Sequence, residues 1–173
     1  MTHSCLTLDP GKRLCGVALH VDGVLRAAAL LRPKPDTTYQ VAAMVERWLA
    51  ATATERLRPP GTVDLLVCEF PQVYGGPRKA DPNDLLPLAE CVGAVEARVK
   101  ALRTARYLPR EWTKGVPKEI RLRRYLTTLT PAEIEVVKAI KGPASLLHNV
   151  LDACALGAYA LGEFKIDTPE YEQ

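Results

Sequence analysis

The sequence predicts an α/β fold in which a mixed five-stranded sheet carries helices on both faces. Residues 14–20 and 24–31 are predicted to be antiparallel strands, because they are joined by Asp22 and Gly23, a dipeptide that favours a two-residue hairpin turn. Residues 63–70 are apolar on both faces, as expected of a central strand that is buried on both sides. The elements follow the order three strands, helix, strand, helix, strand and helices, which indicates a mixed sheet.

The first half of the chain contains four of the predicted strands and one helix. The first strand starts at Ser4 and runs into a turn after Asp9. A helix is expected from Asp36 or Thr37 to about residue 56, because its apolar positions fall on one stripe. Residues 71–82 are rich in proline, glycine and charge and are expected to form a solvent-facing loop.

The second half is predicted to be mainly helical. A helix over residues 84–102 is followed by a short strand at residues 106–108, and a further helix is expected to start at Pro117. Thr130 and Glu133 have the spacing of a capping box, which predicts another short helix. The last helix is expected over residues 145–164.

Length and composition indicate one globular domain that spans residues 1–173. A chain of 173 residues with 47% hydrophobic content can bury one substantial core. The five cysteines are scattered and include no CxxC pair, which favours reduced thiols in a cytoplasmic protein. No signal peptide or membrane span is expected, because the amino terminus lacks a charged segment followed by an apolar one and no apolar run is long enough. The expected location is the cytoplasm.

Positive charge is concentrated in residues 98–124. This segment holds ten Lys or Arg residues against two Glu, a net charge of +8, so that the remainder of the chain carries −5 within a total of +3. A strongly basic segment beside acidic residues is typical of a phosphate-binding surface next to a metal site. A solvated helix face is the alternative interpretation of the same charges.

Three acidic residues occupy positions that suit metal-dependent chemistry. Asp9 closes the first predicted strand, Glu69 closes the fourth, and Asp152 lies in the first half of the last helix. A carboxylate buried at such a place without a partner would cost several kcal/mol, so each one needs a metal ion or another cation. The alternatives are that Asp9 only forms an Asp-Pro-Gly turn and that Glu69 only forms a structural salt bridge.

Segments around these acids resemble the RuvC family of Holliday junction resolvases, in the short form found in phages and prophages. They cover most of the chain: residues 8–11 (LDPG), 15–18 (CGVA), 64–69 (DLLVCE), 86–95 (LPLAECVGAV), 107–110 (YLPR) with Lys114 and Lys118, and 151–157 (LDACALG). The order and spacing of these segments together carry the resemblance. It implies a ribonuclease H-like fold and an endonuclease that cuts branched DNA, most characteristically four-way junctions.

The resemblance also implies the ligands of a metal site. Two Mg²⁺ ions, replaceable by Mn²⁺, would be held by Asp9, Glu69, Asp152 and a fourth residue. The family usually has an acid or a histidine three residues before the last aspartate, where this chain has Asn149, while His148 lies four residues before it. Both positions share a helical face with Asp152. We expect His148 to be the fourth ligand, and a histidine that only hydrogen-bonds to the backbone is the alternative.

The remaining implied contacts involve DNA and a second copy of the chain. Lys114 and Lys118 are assigned to the scissile phosphate or its neighbours, and Tyr74 is assigned to the centre of the junction. The full set assigned to DNA binding is Lys114, Lys118, Arg110, Arg121 and Tyr74. Trp112 is interpreted as a core anchor rather than a base-stacking platform. The helix at residues 86–95 is expected to help form a homodimer, with no membrane partner and no small-molecule cofactor.

Two other functions agree with parts of the sequence. A junction-binding protein with a degenerate, inactive site would explain Asn149. An ATP-binding protein of the actin and sugar-kinase type shares the opening Asp-x-Gly hairpin. The second alternative is disfavoured, because the chain is too short for two such domains and lacks a second glycine-rich phosphate loop.

Overall fold

The described residues form a five-stranded mixed sheet with helices on both faces. They belong to a computed structural model that describes residues 3–11, 13–35, 37–52, 62–72 and 82–166. The strands are β1 (Ser4–Pro10), β2 (Cys15–Val21), β3 (Val24–Leu31), β4 (Thr62–Glu69) and β5 (Lys100–Tyr107). The helices are α1 (Thr38–Thr52), α2 (Pro82–Arg98), α3 (Pro109–Thr113), α4 (Lys118–Thr128), α5 (Pro131–Lys138) and α6 (Leu147–Ala160).

The strand order β3-β2-β1-β4-β5 places β1 at the centre of the sheet. β1 is parallel to β4 and β4 is parallel to β5, so their carboxyl ends, which include Glu69 and Tyr107, lie at one edge of the sheet. The antiparallel pairing of β1 with β2 and of β2 with β3 brings the start of β2, at Cys15, and the end of β3, at Leu31, to the same edge. We call this edge the carboxyl edge.

Two hydrophobic clusters lie on opposite faces of the sheet. One contains residues of α1 and α2, including Val41, Val45 and Val95, packed on the sheet. The other contains Trp112 of α3, Tyr125 of α4 and most of the buried residues of α6. The prediction of a mixed five-stranded sheet with helices on both faces is therefore confirmed.

Several local predictions differ from the structure at their boundaries. The helix expected over residues 84–102 ends at Arg98, and the short strand expected at residues 106–108 is the eight-residue β5. β5 is an edge strand with exposed charges, so its sequence lacks the apolar alternation of a buried strand, and its pairing with β4 defines it. The last helix begins at Leu147, after a short 3₁₀ turn, and ends at Ala160.

The predicted capping box of Thr130 and Glu133 is confirmed. The Thr130 side chain accepts a hydrogen bond from the Glu133 amide, and the Glu133 carboxylate accepts one from the Thr130 amide, which completes the capping box of α5. All five cysteines are buried and none forms a disulfide. None of the helices within the described residues combines the length and the apolar character that crossing a membrane requires.

Gly16 in β2 lies where α6 approaches the sheet closely. A Cβ atom at this position would lie 2.2 Å from the carbonyl oxygen of Asn149. This oxygen belongs to the backbone, so Gly16→Ala would force the first turn of α6 away from β2. We expect a loss of about 1–3 kcal/mol in the free energy of unfolding, as in other overpacked cores, measured by urea denaturation.

Gly93→Ala in α2 is the matched control for this prediction. Its Cβ atom would meet no heavy atom within 4 Å, and alanine is preferred over glycine inside a helix by roughly 1 kcal/mol. The control should therefore be as stable as the wild type or slightly more stable. Equal stability of the two variants would show that α6 tolerates a side chain at Gly16.

Candidate active site

The carboxyl edge brings Asp9 and Glu69 together on the face of the sheet that α6 covers. The register of the parallel strands pairs Leu8 with Cys68, so the next residue of each strand is one of the two acids. Side chains alternate along a strand, and Leu8 and Cys68 both point into the cluster on the opposite face. Asp9 and Glu69 therefore project toward α6, and both are half-buried.

α6 contributes the third acid, Asp152, which is 5% exposed. Its Oδ1 atom accepts a hydrogen bond from Nη2 of Arg121 at 2.8 Å. Its Oδ2 atom forms an ion pair with the ammonium group of Lys118. Lys118 and Arg121 are three residues apart in α4, which places both side chains on one face of that helix. Both oxygens of the Asp152 carboxylate are thus paired with cations.

Trp112 and Arg121 connect the second acid to the third. Trp112 is fully buried, and its Nε1 atom donates a hydrogen bond of 2.7 Å to Oε2 of Glu69. The guanidinium carbon of Arg121 lies 4.4 Å from the centre of the Trp112 ring, a cation–π contact. We call these two side chains the Trp112–Arg121 bridge. The bridge fixes the positions of the Glu69 and Asp152 carboxylates relative to each other, because Trp112 binds one of them and Arg121 binds the other.

The three carboxyl groups influence one another electrostatically. Burial, followed by the negative charges of Glu69 and Asp152, raises the pKa of Asp9 well above its usual range, while Lys118 and Arg121 act in the opposite direction. Burial also raises the pKa of Glu69, and the hydrogen bond from Trp112 opposes that effect. Close carboxylates in a buried site destabilise their ionised forms, and a divalent cation among them would relieve this repulsion.

The donor chemistry of the site suits a hard divalent cation, because carboxylate oxygens are the protein ligands that Mg²⁺ and Mn²⁺ prefer. Within the described ranges, no group of three or more His, Cys, Asp or Glu side chains is gathered closely enough to hold a metal ion as it stands. Asp152 instead faces Lys118 and Arg121. A metal ion at Asp152 would replace one of these two cations. The Lys118 side chain is 38% exposed and the Arg121 side chain 8% exposed, so Lys118 is the one that can move away more easily.

The other predicted site residues lie around this centre with varied exposure. His148 and Asn149 are half-buried in the first turn of α6, one turn before Asp152. Arg110 in α3 and Lys114 immediately after it are exposed at the carboxyl edge. Tyr74 lies outside the described residues.

Solved structures share this architecture, although no model of a known protein family matches the chain and no curated protein sequence does. RuvC of T. thermophilus in complex with a Holliday junction substrate is 17% identical, with a TM-score of 0.56 over 92% of this chain and 97% of that chain. The chain has the fold of RuvC. A second Thermus thermophilus RuvC structure is 18% identical over 90% of this chain and 92% of that chain, with a TM-score of 0.47. The predicted ribonuclease H-like fold, with its resemblance to RuvC, is confirmed.

Within the RuvC fold of this chain, the sequence did not indicate the role of Trp112. The interpretation as a core anchor is correct, because the ring is fully buried. The sequence pattern does not reveal the hydrogen bond from Trp112 to Glu69. The only indication is general: a buried indole N–H requires an acceptor. The sequence also assigned Arg121 to DNA binding, whereas its side chain is only 8% exposed. Charge alone does not distinguish a buried cation from one at the surface.

Proposed function

We propose that this chain is an endodeoxyribonuclease that cuts four-way or other branched DNA by metal-assisted hydrolysis of a phosphodiester. The observation that carries the proposal is the convergence of Asp9, Glu69 and Asp152 at one edge of a fold shared with a RuvC that binds a Holliday junction. We further propose that residues 1–173 act as a single nuclease domain.

The acidic side chains would hold two Mg²⁺ ions, and Mn²⁺ would substitute for them. The ligands would be Asp9, Glu69 and Asp152, with His148 or Asn149 as the fourth. When bound, such ions activate a water molecule as nucleophile and stabilise the leaving oxygen. The protein's own contribution is to hold the carboxylates in place through the Trp112–Arg121 bridge and to exclude water from the buried side of the cluster.

The cations near the site would bind the substrate's phosphates. Arg110 and Lys114 are exposed beside the acids, and Lys118 reaches both Asp152 and solvent. We propose that Lys118 leaves Asp152 and contacts the scissile phosphate when substrate is bound. Arg121 is paired with Asp152 and stacked on Trp112, so we assign it to the acidic cluster instead of a DNA phosphate.

The proposed substrate favours a homodimer. Symmetric nicks across a four-way junction need two active sites, and an interface related by twofold symmetry supplies them. We propose α2 as a contributor to that interface. Leu86 in α2 is 65% exposed, which gives this helix an apolar side chain available to a partner.

A catalytically inactive junction-binding protein is a second candidate, and two observations favour it. Asp152 is fully paired with Lys118 and Arg121, and an amide stands at position 149. Such a protein would retain the basic surface for DNA binding and lack the charge balance needed for metal ions.

A cleavage assay separates the two candidates. Labelled four-way junction, fork, duplex and single strand are incubated with the protein in Mg²⁺, in Mn²⁺ and without a divalent ion. We expect cleavage of the branched substrates that depends on the metal, and Asp9→Asn controls for contaminating nucleases. Binding of the junction without cleavage in either metal would support the inactive protein. The absence of both binding and cleavage would contradict both candidates.

The fourth ligand is tested at His148 and Asn149. A neutral imidazole can complete a metal shell beside three carboxylates, whereas the asparagine offers only an amide oxygen. We expect His148→Ala to reduce cleavage strongly, His148→Asp to restore part of it, chiefly in Mg²⁺, and Asn149→Ala to have a smaller effect. Initial cleavage rates of the four-way junction in each metal measure this. A larger loss from Asn149→Ala would assign the ligand to Asn149 instead.

A further inference from the structure

A basic groove lies at the carboxyl edge on the side of the sheet away from β5. It has a volume of about 700 Å³ and is lined by Arg13, Leu14, Arg32, Pro33, Lys34 and Pro35. Three of these six lining residues carry positive charge, and none of the six is acidic. We call it the β3-side groove. Its cations lie outside the strongly basic segment of residues 98–124 and have no part in the site described above.

The pairing of the strands places this groove beside the acidic cluster. Pro10, which follows Asp9, is opposite Cys15, and Cys15 is opposite Leu31, the residue before Arg32. The groove therefore lies where β2 begins and β3 ends, two strands from Asp9. Neighbouring strands are about 4.8 Å apart, so β3 is roughly 10 Å from β1. That separation corresponds to the axial rise of about three base pairs in a DNA duplex.

The groove adds cations on the other side of the acidic cluster. In the order β3-β2-β1-β4-β5, the acids close the neighbouring inner strands β1 and β4. Arg110 and Lys114 follow β5 at one side of the sheet, and Arg32 and Lys34 follow β3 at the other. A DNA backbone that crosses the carboxylates is repelled by them and needs cations on its path before and after that point.

We propose that the β3-side groove binds the sugar-phosphate backbone of a DNA arm next to the strand held over the acidic cluster. This inference rests on the proposed function and adds to it a second contact region. Arg32 and Lys34 are both exposed, so their charges are available to phosphates. The walls formed by Leu14, Pro33 and Pro35 shape the groove. Contacts of this kind position DNA without reading its sequence.

The test measures binding of a fluorescent four-way junction over a series of salt concentrations. Asp9→Asn is the parent, so that no cleavage occurs during the measurement. We expect the double variant Arg32→Ala, Lys34→Ala to reduce the steepness of the plot of log binding constant against log salt concentration by about two units, one for each lost phosphate contact. At 0.1 M salt, it should bind the junction about tenfold or more weakly. Both positions are exposed, so folding, checked by circular dichroism, should be unchanged.

The matched control removes two cations elsewhere. Arg26 is exposed in β3 near the opposite edge of the sheet, and Arg47 is exposed in α1. Arg26→Ala with Arg47→Ala loses the same net charge and should leave the slope close to that of the parent. If the Arg32 and Lys34 variant behaves like this control while the parent binds with a steep salt dependence, the groove is not a DNA contact and the proposed function stands. If the parent does not bind branched DNA, both proposals are wrong.

Discussion

Asp9→Asn should abolish cleavage of a four-way junction and leave junction binding largely intact. An amide keeps the shape of the side chain and removes the charge needed to hold a metal ion. The same result is expected for Glu69→Gln and Asp152→Asn. Losing several kcal/mol of charge stabilisation in the transition state corresponds to about a thousandfold or more in rate. Cleavage rates in Mg²⁺ and mobility-shift binding without a divalent ion measure the two effects separately.

The control for this prediction is an acid distant from the cluster. Glu135 is exposed in α5, where its carboxylate pairs with Lys138, and Glu135→Gln should cleave at the wild-type rate. Near-normal cleavage by any one of the three acidic variants would remove that residue from the catalytic set. Loss of binding together with cleavage would indicate that the variant had misfolded, which circular dichroism would detect.

Arg121→Met should destabilise the protein by about 3 kcal/mol, measured by urea denaturation. Removing one member of a buried ion pair usually costs about 3–5 kcal/mol, because the remaining charge stays buried. Here Lys118 still pairs with Asp152, which places the expected loss at the lower end of that range. The cation–π contact with Trp112 would be lost as well.

A double-mutant cycle tests whether this loss arises at Asp152. If the Arg121 guanidinium stabilises the fold through Asp152, the combination of Arg121→Met with Asp152→Asn should cost less than the sum of the two single changes. Arg123→Met is the surface control, because Arg123 is exposed in the same helix, and it should change stability by no more than about 0.5 kcal/mol. Equal effects of Arg121→Met and Arg123→Met would contradict the buried pair.

Local sequence patterns were sufficient to place Asp9 and Glu69. Each follows an apolar segment and precedes a turn or loop, so alternation and turn residues locate it at a strand end. Their meeting at one edge required only that β1 and β4 be parallel neighbours, which the order of the elements favours. The capping box of Thr130 and Glu133 was also predictable, since its contacts join residues three positions apart.

β5 shows where the local pattern failed. Its residues include Lys100, Arg103 and Arg106, and charged side chains are uncommon in a buried strand. The segment is a strand because its backbone pairs with β4 from Thr62 to Glu69, far away in the chain. Hydrogen bonding to a distant neighbour is not encoded in a short window of sequence, so the strand was predicted too short.

By itself, the sequence determined the class of the fold, the kinds of element in order, and the strand ends and helix that carry the three acids. Periodicity, turn residues and caps act over a few residues, so their effects can be read locally. Only the tertiary structure decided which groups the acids contact: Trp112 is bound to Glu69, and Asp152 is paired with Lys118 and Arg121. These partners are distant in sequence. Which group a charged side chain contacts depends on where it is buried, and the packing of the whole chain decides that.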